Sequence, residues 1–277
     1  MNKKFIASLA LATAFAGALV VAVTTEASHS WGGYHWARTA NPLALNVGDN
    51  VSSAWDAYLT SALSDWNASP VLLLTKTAGL TSPRTCKPTL GRIEVCNAKY
   101  GNNGWLGIAQ IWISGSHITQ GIAKMNDSYF NKPQYNTPAW RRLVMCQEIA
   151  HDFGLDHQNE NFKNANLGSC MDYTNDPDGG PGGASATDPS NEHPNAHDFD
   201  QLALIYTHLD SAAVSSPTKN SNGAGKNASD TDFSSPEEWG QAMRADAKGR
   251  ASLFERNLGN GKKVITHVIW IDEVEGR

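Results

Sequence analysis

The sequence lacks an excess of charge of either sign. Its 277 residues include 22 basic and 27 acidic side chains, for a net charge of −5, and only 18% of the chain is charged. A protein that binds nucleic acid needs a surplus of Lys and Arg to neutralise phosphates, so this composition argues against a nucleic-acid partner. Hydrophobic residues make up 40% of the chain and aromatic residues 9%, which is enough to build a core. We therefore expect one substantial domain with an appendage.

Long apolar runs are also scarce, because the uncharged stretch from Phe5 to Val23 has no counterpart later in the chain. Lys3 and Lys4 precede this stretch and the small residue Ala27 follows it, which is the pattern of a secretory signal peptide. We expect residues 1–27 to be removed, leaving a secreted, extracytoplasmic protein with no stable membrane insertion. An uncleaved anchor is the alternative, but the Ala and Gly content makes this run only weakly hydrophobic.

Cysteine is rare as well, with four residues that all lie after the signal peptide. An even number of cysteines in an exported chain favours disulfides over free thiols, although buried thiols are the alternative. Four cysteines allow three pairings. Cys86 and Cys96 flank a short loop and are expected to pair, which leaves Cys146 with Cys170.

Composition divides the exported chain into three parts. Residues 28–210 mix periodic segments with turn residues and are expected to form the main domain. Residues 211–231 are rich in Ser, Asn, Gly and Lys, which is typical of a flexible linker. Residues 232–277 predict a small module, with a helix at Pro236–Arg244 and a hairpin whose turn is Leu258-Gly259-Asn260-Gly261.

The main domain is predicted to be α+β (mixed α/β), with an early helix among strands and two later helices. Thr137 and Pro138 open the second of these three helices as N-cap and first helical residue, and Gly154 closes it. The other helices are expected at residues 55–66 and 198–209. Strands are expected at residues 43–47, 71–75, 92–96, 106–114 and 121–125.

The side chains that point to chemistry lie at the end of the second helix. Gln147 and His151 are one helical turn apart and project from the same face, with Glu148 beside them. Gly154 adopts a positive φ cheaply, so the chain can turn and bring His157 towards His151. Zinc prefers neutral imidazoles and an open position for water, and a neighbouring carboxylate can take the proton of that water. Glu148 is the candidate for this role.

These residues carry a family resemblance. The pattern Glu148-x-x-His151-x-x-Gly154-x-x-His157 resembles the zinc-binding signature of the metzincin metallopeptidases. Downstream, the stretch from Ser169 to Tyr173 resembles their Met-turn, and the similarity to small matrixin-like bacterial peptidases covers roughly residues 31–210. The resemblance implies a twisted sheet and an active-site helix, with Met171 as the base of the site. It also implies that Tyr173 either steadies the developing oxyanion or serves only in packing.

The sequence departs from the family at the first zinc ligand, where Gln147 replaces histidine. An amide oxygen is a weaker donor to zinc than an imidazole nitrogen, so zinc affinity should fall. Gln147 could coordinate through its oxygen, water could fill its place, the site could be empty, or another histidine such as His117 could replace it. The remaining histidines are interpreted as surface or capping groups, namely His29, His35, His193, His197, His208 and His267.

Two functions follow from these patterns. The first is a secreted, monomeric endopeptidase that binds a protein or peptide substrate along the strand at Gly121–Met125 and uses Zn²⁺, with Gln147, His151 and His157 as ligands. The second is an inactive protein of the same fold that binds a protein or a surface. A calcium ion (Ca²⁺) could also bind in the Asp-rich stretch at residues 176–200, although a specificity loop beside the cleft is the preferred interpretation.

Overall fold

A computed structural model describes residues 30, 32–182, 184–213 and 233–272. The expected signal peptide at residues 1–27 lies outside the described residues. Of the expected linker at residues 211–231, only residues 211–213 are described.

The described residues form one mixed sheet of nine strands. In chain order they are β1 (His35–Trp36), β2 (Leu43–Asn50), β3 (Leu72–Ala78), β4 (Arg92–Ala98), β5 (Trp105–Ser114), β6 (His117–Asn126), β7 (Gln241–Ala245), β8 (Ala251–Gly259) and β9 (Lys262–Trp270). Their order across the sheet is β3-β2-β4-β6-β5-β9-β8-β7, and β1 pairs with β6. The pairs among β1, β2, β3, β4 and β6 are parallel, whereas β5, β7, β8 and β9 pair antiparallel to their neighbours.

Four α-helices accompany the sheet in the described residues: α1 (Asp56–Trp66), α2 (Asp127–Phe130), α3 (Pro138–His151) and α4 (Ala196–Ile205). Helix α3 begins as predicted, because the Thr137 side chain accepts a hydrogen bond from the backbone N–H of Trp140. Helix α1 packs on α3, and the Trp66 indole N–H donates to the carbonyl of Cys146 at 3.1 Å. Within the described part of the chain, none of the helices has the length and apolar character that a membrane span requires.

Two glycines let α3 approach the sheet closely. A Cβ atom on Gly107 of β5 would lie 2.4 Å from Oε1 of Glu148, and one on Gly121 of β6 would lie 2.8 Å from Oδ1 of Asp152. Only glycine fits between strand and side chain at this distance. The close packing places the carboxyl groups of Glu148 and Asp152 between α3 and the sheet.

The prediction of a mixed fold is confirmed, with more sheet than helix. The predicted strands correspond to β2–β6, and the predicted helices correspond to α1, α3 and α4, although α4 ends at Ile205 rather than at residue 209. One functional expectation is wrong: the strand at Gly121–Met125 lies inside the sheet, between β4 and β5. A peptide adds only to an unpaired strand edge, so it cannot add to this strand.

The C-terminal part differs from the prediction of a separate module at residues 232–277. Its hairpin is present as β8 and β9, but β9 pairs with β5 over residues 105–114 and 262–270, which makes this part continuous with the main sheet. The predicted helix at Pro236–Arg244 is wrong, because a 3-10 turn at Pro236–Glu238 is followed by β7. Gly240 separates the two elements with φ of +95°, and its Cα lies so close to the carbonyl of Glu255 that a Cβ would be 2.3 Å away. This approach to β8 favours strand pairing over helix.

Both expected disulfides are present, joining Cys86 to Cys96 and Cys146 to Cys170. The first links β4 to the loop that precedes it. The second links the buried side of α3 to the turn that contains Met171, so it holds together the two segments that carry the metzincin-like motifs.

Candidate metal centre

Three buried histidines converge where α3 faces β9. His151 is the last residue of α3, His157 follows the turn after it, and His267 lies on β9. One ring nitrogen from each lies within 4.8 Å of the others. The ring of His267 stacks on that of His151 at a centroid distance of 4.1 Å and meets that of His157 edge-on at the same distance.

The hydrogen bonds of two of these rings leave the same nitrogen atom for a metal. Nδ1 of His151 lies 2.8 Å from the carbonyl oxygen of Leu155, and Nδ1 of His157 lies 2.9 Å from Oε1 of Glu160. Both partners are acceptors, so a neutral ring carries its proton on Nδ1 and its lone pair on Nε2. The two Nε2 atoms are 3.0 Å apart. Two facing lone pairs at this distance require a cation or a proton between them, and an oxygen partner on Nδ1 is the usual outer contact of a metal-bound histidine.

A network of charged groups lies beside the three rings. Arg244 on β7 donates to both carboxylate oxygens of Asp156, at 2.7 and 2.6 Å, and lies 2.8 Å from Glu160. Burial raises the pKa of Glu160, but the hydrogen bond and charge of His157, with the charges of His267 and Arg244, outweigh this effect and lower it to about 2. Burial also opposes ionisation of Asp156, but its hydrogen bonds and charge interactions with Arg244 and His267 hold the pKa well below its usual value, so both carboxylates are ionised at neutral pH. Two carboxylates outnumber the one guanidinium, whose Nη2 also lies 3.2 Å from Nε2 of His267, so the network keeps a net negative charge that favours binding of a cation.

The environment keeps the imidazoles neutral. Burial, assisted by the charge of His151, lowers the pKa of His157 to about 4, against the opposing effect of Glu160. Burial and the charge of His157 lower the pKa of His267 to about 3, and burial also lowers the pKa of His151 well below its usual value. Because zinc binds the neutral form of histidine, a metal would displace few protons from this site at neutral pH.

Glu148 lies on the same side of the sheet as His267. Its carboxylate packs against Gly107, and His267 is paired in the ladder with Ala109, two residues along β5 and on the same face. Both carboxylate oxygens are buried and have no hydrogen-bond partner among the described residues. Burial raises the pKa of Glu148 well above its usual value. The group can therefore exchange a proton in a buried setting, where a nearby cation would favour its ionised form.

The other residues expected in the site are buried nearby. The side-chain amide of Gln147 donates from Nε2 to the carbonyl of Cys170 at 2.8 Å, and its Oε1 has no hydrogen-bond partner among the described residues. Tyr173 packs its ring on His157 at a centroid distance of 4.2 Å and donates its hydroxyl to the carbonyl of Val268 at 3.1 Å. Met171 is fully buried. Gly154 has φ of +104°, and a Cβ there would lie 2.5 Å from the carbonyl oxygen of Tyr34, so the turn requires glycine.

The interpretation of His267 as a surface or capping group is wrong. His267 is fully buried, because β9 pairs with β5 and turns this side chain towards α3. One signal in the sequence could have drawn attention to it, since Thr266 and His267 interrupt an otherwise apolar run from Val264 to Ile269. His117, considered above as one possible replacement ligand, contacts Asp210.

The other histidines interpreted as surface or capping groups differ in how far their side chains are exposed. The side chains of His193 and His208 are about half exposed. His35, in contrast, is buried. His29 lies outside the described residues.

Calcium has no support from the described residues. Each cluster of three or more potential ligand side chains found there contains histidine, and none includes a residue of the stretch at 176–200. Nitrogen-rich clusters suit zinc rather than calcium, which prefers oxygen ligands.

Comparisons with known proteins add little. No family model matches the chain, and no curated protein matches it. Among solved structures, one match is a hatching enzyme from the medaka fish Oryzias latipes, High choriolytic enzyme 1, described as a zinc-protease. The two are 12% identical, the match covers 62% of this chain and 94% of the fish protein, and the TM-score is 0.34. A structural similarity this weak does not indicate a shared function.

Proposed function

We propose that the chain is a secreted zinc-dependent endopeptidase whose zinc ligands are His151, His157 and His267. The observation that supports this proposal is the convergence of three buried, neutral imidazoles, with the buried carboxylate of Glu148 on the same face of the sheet as His267. Three histidines with an open fourth position form a known type of catalytic zinc site. The expected signal peptide and the two disulfides agree with an exported protein.

In such a site, zinc supplies Lewis acidity, which polarises a peptide carbonyl and makes water a better nucleophile. Glu148 acts as the general base and accepts a proton from the attacking water at a carboxylate oxygen, then delivers it to the departing amine. Glu160 and the Leu155 carbonyl contact Nδ1 of His157 and His151, so that Nε2 of each ring would be the atom that binds the ion. Tyr173 could donate its hydroxyl to the developing oxyanion only after releasing the carbonyl of Val268.

Gln147 is assigned a supporting role in this proposal. Its amide donates to the Cys170 carbonyl and so links α3 to the turn that contains Met171, while its Oε1 is available to accept a hydrogen bond from water near the metal. His267 then provides the third nitrogen ligand that the family signature takes from the position of Gln147.

The pairing of β9 with β5 favours a second candidate function. An extended peptide cannot add to β5, the strand that packs against α3 through Gly107, because β9 already pairs with it over residues 105–114. A protein that kept this arrangement permanently would hold zinc without cleaving peptides. It would then serve as a metal-stabilised binding protein.

Measurement of zinc content together with peptidase activity decides between the two functions. The purified mature chain is loaded with zinc and incubated with casein and a quenched fluorescent peptide library, alongside Glu148→Gln as the variant. For the peptidase, we expect cleavage by the wild type and a loss of about 10²-fold or more in the variant, with zinc content and melting temperature unchanged. Zinc binding without cleavage by the wild type would establish the second function, and equal activity of the two proteins would remove Glu148 from the mechanism.

A further inference from the structure

A second group of histidines, none of which belongs to the first centre, surrounds a single carboxylate oxygen. His35 on β1 and His117 on β6 are direct partners in the parallel ladder, so their side chains point to the same face. His208 and Asp210 follow α4. The Nε2 atoms of His117, His208 and His35 lie 2.9, 3.5 and 3.9 Å from Oδ1 of Asp210.

The backbone fixes the orientation of the carboxylate. The N–H of Arg38 donates to Oδ2 of Asp210 at 2.9 Å, and the N–H of Asp210 donates back to the carbonyl of Arg38 at 2.7 Å. Oδ1 is thereby turned towards the histidines. The guanidinium of Arg38 is directed elsewhere, since it donates to the carbonyl oxygens of Tyr206 and His208.

His35 is the member of this group that most needs a cation. Its side chain is more than nine-tenths buried, and its Nδ1 lies 3.0 Å from the carbonyl oxygen of Gly33, which fixes the proton of a neutral ring on Nδ1. Nε2 then presents a lone pair to the Asp210 carboxylate and has no hydrogen-bond partner among the described residues. A buried lone pair that faces an anion is unfavourable unless a cation or a proton lies between them.

We infer that His35, His208 and Asp210, with His117 as the fourth ligand, form a second zinc site with a structural role. One ligand atom from each of His35, His208 and Asp210 already lies within 4.8 Å of the other two. In a tetrahedral zinc site, bonds of 2.0–2.1 Å place neighbouring ligand atoms roughly 3.4 Å apart. The three separations from Oδ1, 2.9, 3.5 and 3.9 Å, lie on either side of this value, so shifts of about half an ångström bring each of these three distances to it.

The ligand set is typical of zinc. Three imidazole nitrogens and one carboxylate leave no position for a substrate, which is the arrangement of a closed structural site. The ligands come from β1, the start of β6 and the segment after α4. A metal here would fasten the first strand of the described chain to the end of the last helix of the main domain.

Metal stoichiometry tests this inference independently of the proposed peptidase. The full mature chain is stripped with a chelator and titrated with zinc in the presence of a chromophoric competitor. We expect two zinc ions per wild-type chain, one for His208→Ala, one for Asp210→Asn, and two for the control His193→Ala. His193 is a suitable control because it is about as exposed as His208 and also contacts an aspartate, Asp65 at 2.7 Å.

The first centre provides an internal check on the assignment. His267→Ala should lose one ion and keep the ion at Asp210, whereas the double variant His208→Ala with His267→Ala should bind none. Circular dichroism of each variant verifies folding, and His208 is exposed enough for its replacement to be tolerated. His208→Ala and Asp210→Asn proteins that bind as many ions as the wild type, or a wild-type chain whose single ion is lost in His267→Ala, would overturn the second site and leave an ion-pair cluster only. A single ion that His267→Ala keeps and His208→Ala loses would instead contradict the first centre.

Discussion

His267 stacks on His151 at a centroid distance of 4.1 Å, with an angle of 17° between the ring planes, although one lies on the last described strand and the other at the end of α3. This contact depends on the pairing of β9 with β5. It brings a third imidazole to the two, His151 and His157, that lie in the motif resembling a zinc-binding signature.

Replacement of His267 should weaken the binding of zinc at the first centre. With His267→Ala only two imidazoles remain, so zinc affinity there should fall by more than the roughly 10–100-fold that loss of an outer hydrogen-bond partner costs. Competition titration of the wild type and the variant against a chelator at one pH measures the change, and His193→Ala is the surface control. Unchanged affinity would show that His267 is not a ligand.

A histidine at position 147 should rescue that loss. Gln147 and His151 share one face of α3, so Gln147→His should restore a third nitrogen when combined with His267→Ala. In the wild-type background the same change should alter zinc affinity little, because three nitrogens are already present, while the hydrogen bond to Cys170 is lost. Equal tightening in both backgrounds would mean that the two positions act independently.

The two disulfides should differ in their effect on zinc. Each closes a short loop, so replacing either pair with alanines should destabilise the fold by about 3 kcal/mol. Only the pair Cys146 and Cys170 joins α3 to the turn beside the metal centre, and we expect zinc affinity to fall in that double variant alone. Cys86→Ala with Cys96→Ala is the matched control. Similar zinc affinity in both double variants would argue against positioning of the centre by the disulfide.

Asp172 should make the metal-free protein less stable as the pH rises. Burial raises the pKa of Asp172 to about 6, although Asn191, Asn164 and the N–H of Leu167 donate hydrogen bonds to its carboxylate. The pKa of this carboxyl group is 3.8 in the unfolded chain and about 6 in the folded protein, so between these two pH values the folded state binds more protons than the unfolded state. The contribution of Asp172 to stability is therefore present at low pH and is lost as the pH rises.

Replacement of Asp172 by asparagine removes this titration. Relative to the wild type, Asp172→Asn should gain up to about 3 kcal/mol of stability between pH 4 and pH 7. Urea unfolding in the presence of a chelator at the two pH values measures the gain, and the exposed Asp200→Asn is the control. A difference between variant and wild type that is the same at both pH values would contradict the prediction.

Local patterns in the sequence predicted most of the main domain, because alternation and capping act over a few residues. Thr137 and Pro138 mark the start of α3, and the turn at Gly259-Asn260-Gly261, where all three residues have positive φ, marks the β8–β9 hairpin. The helix expected near Pro236 failed because a tertiary contact, the approach of Gly240 to β8, outweighed the local preference.

The candidate site was only partly predictable for the same reason. His151 and His157 lie in one short motif, so their spacing indicates a shared ligand. Pairing of β9 with β5 brings His267 to the first centre. Pairing of β1 with β6, together with the path of the chain after α4, assembles the separate cluster around Asp210. Neither arrangement leaves a local spacing pattern in the sequence. When a sequence motif supplies only two metal-binding histidines, an isolated histidine in an apolar strand is therefore a candidate for the third ligand.

Strand β9 also affects how this protein would behave towards other copies of itself. Nine of the ten residues of β5, Trp105–Ile113, are buried, and without β9 they would form a long apolar edge with unpaired N–H and C=O groups. Such edges pair with strands of other molecules and promote aggregation. Proteolytic loss of the C-terminal hairpin would therefore remove His267, a proposed zinc ligand, and at the same time expose the unpaired edge of β5. A clipped chain should then precipitate rather than persist as a soluble protein.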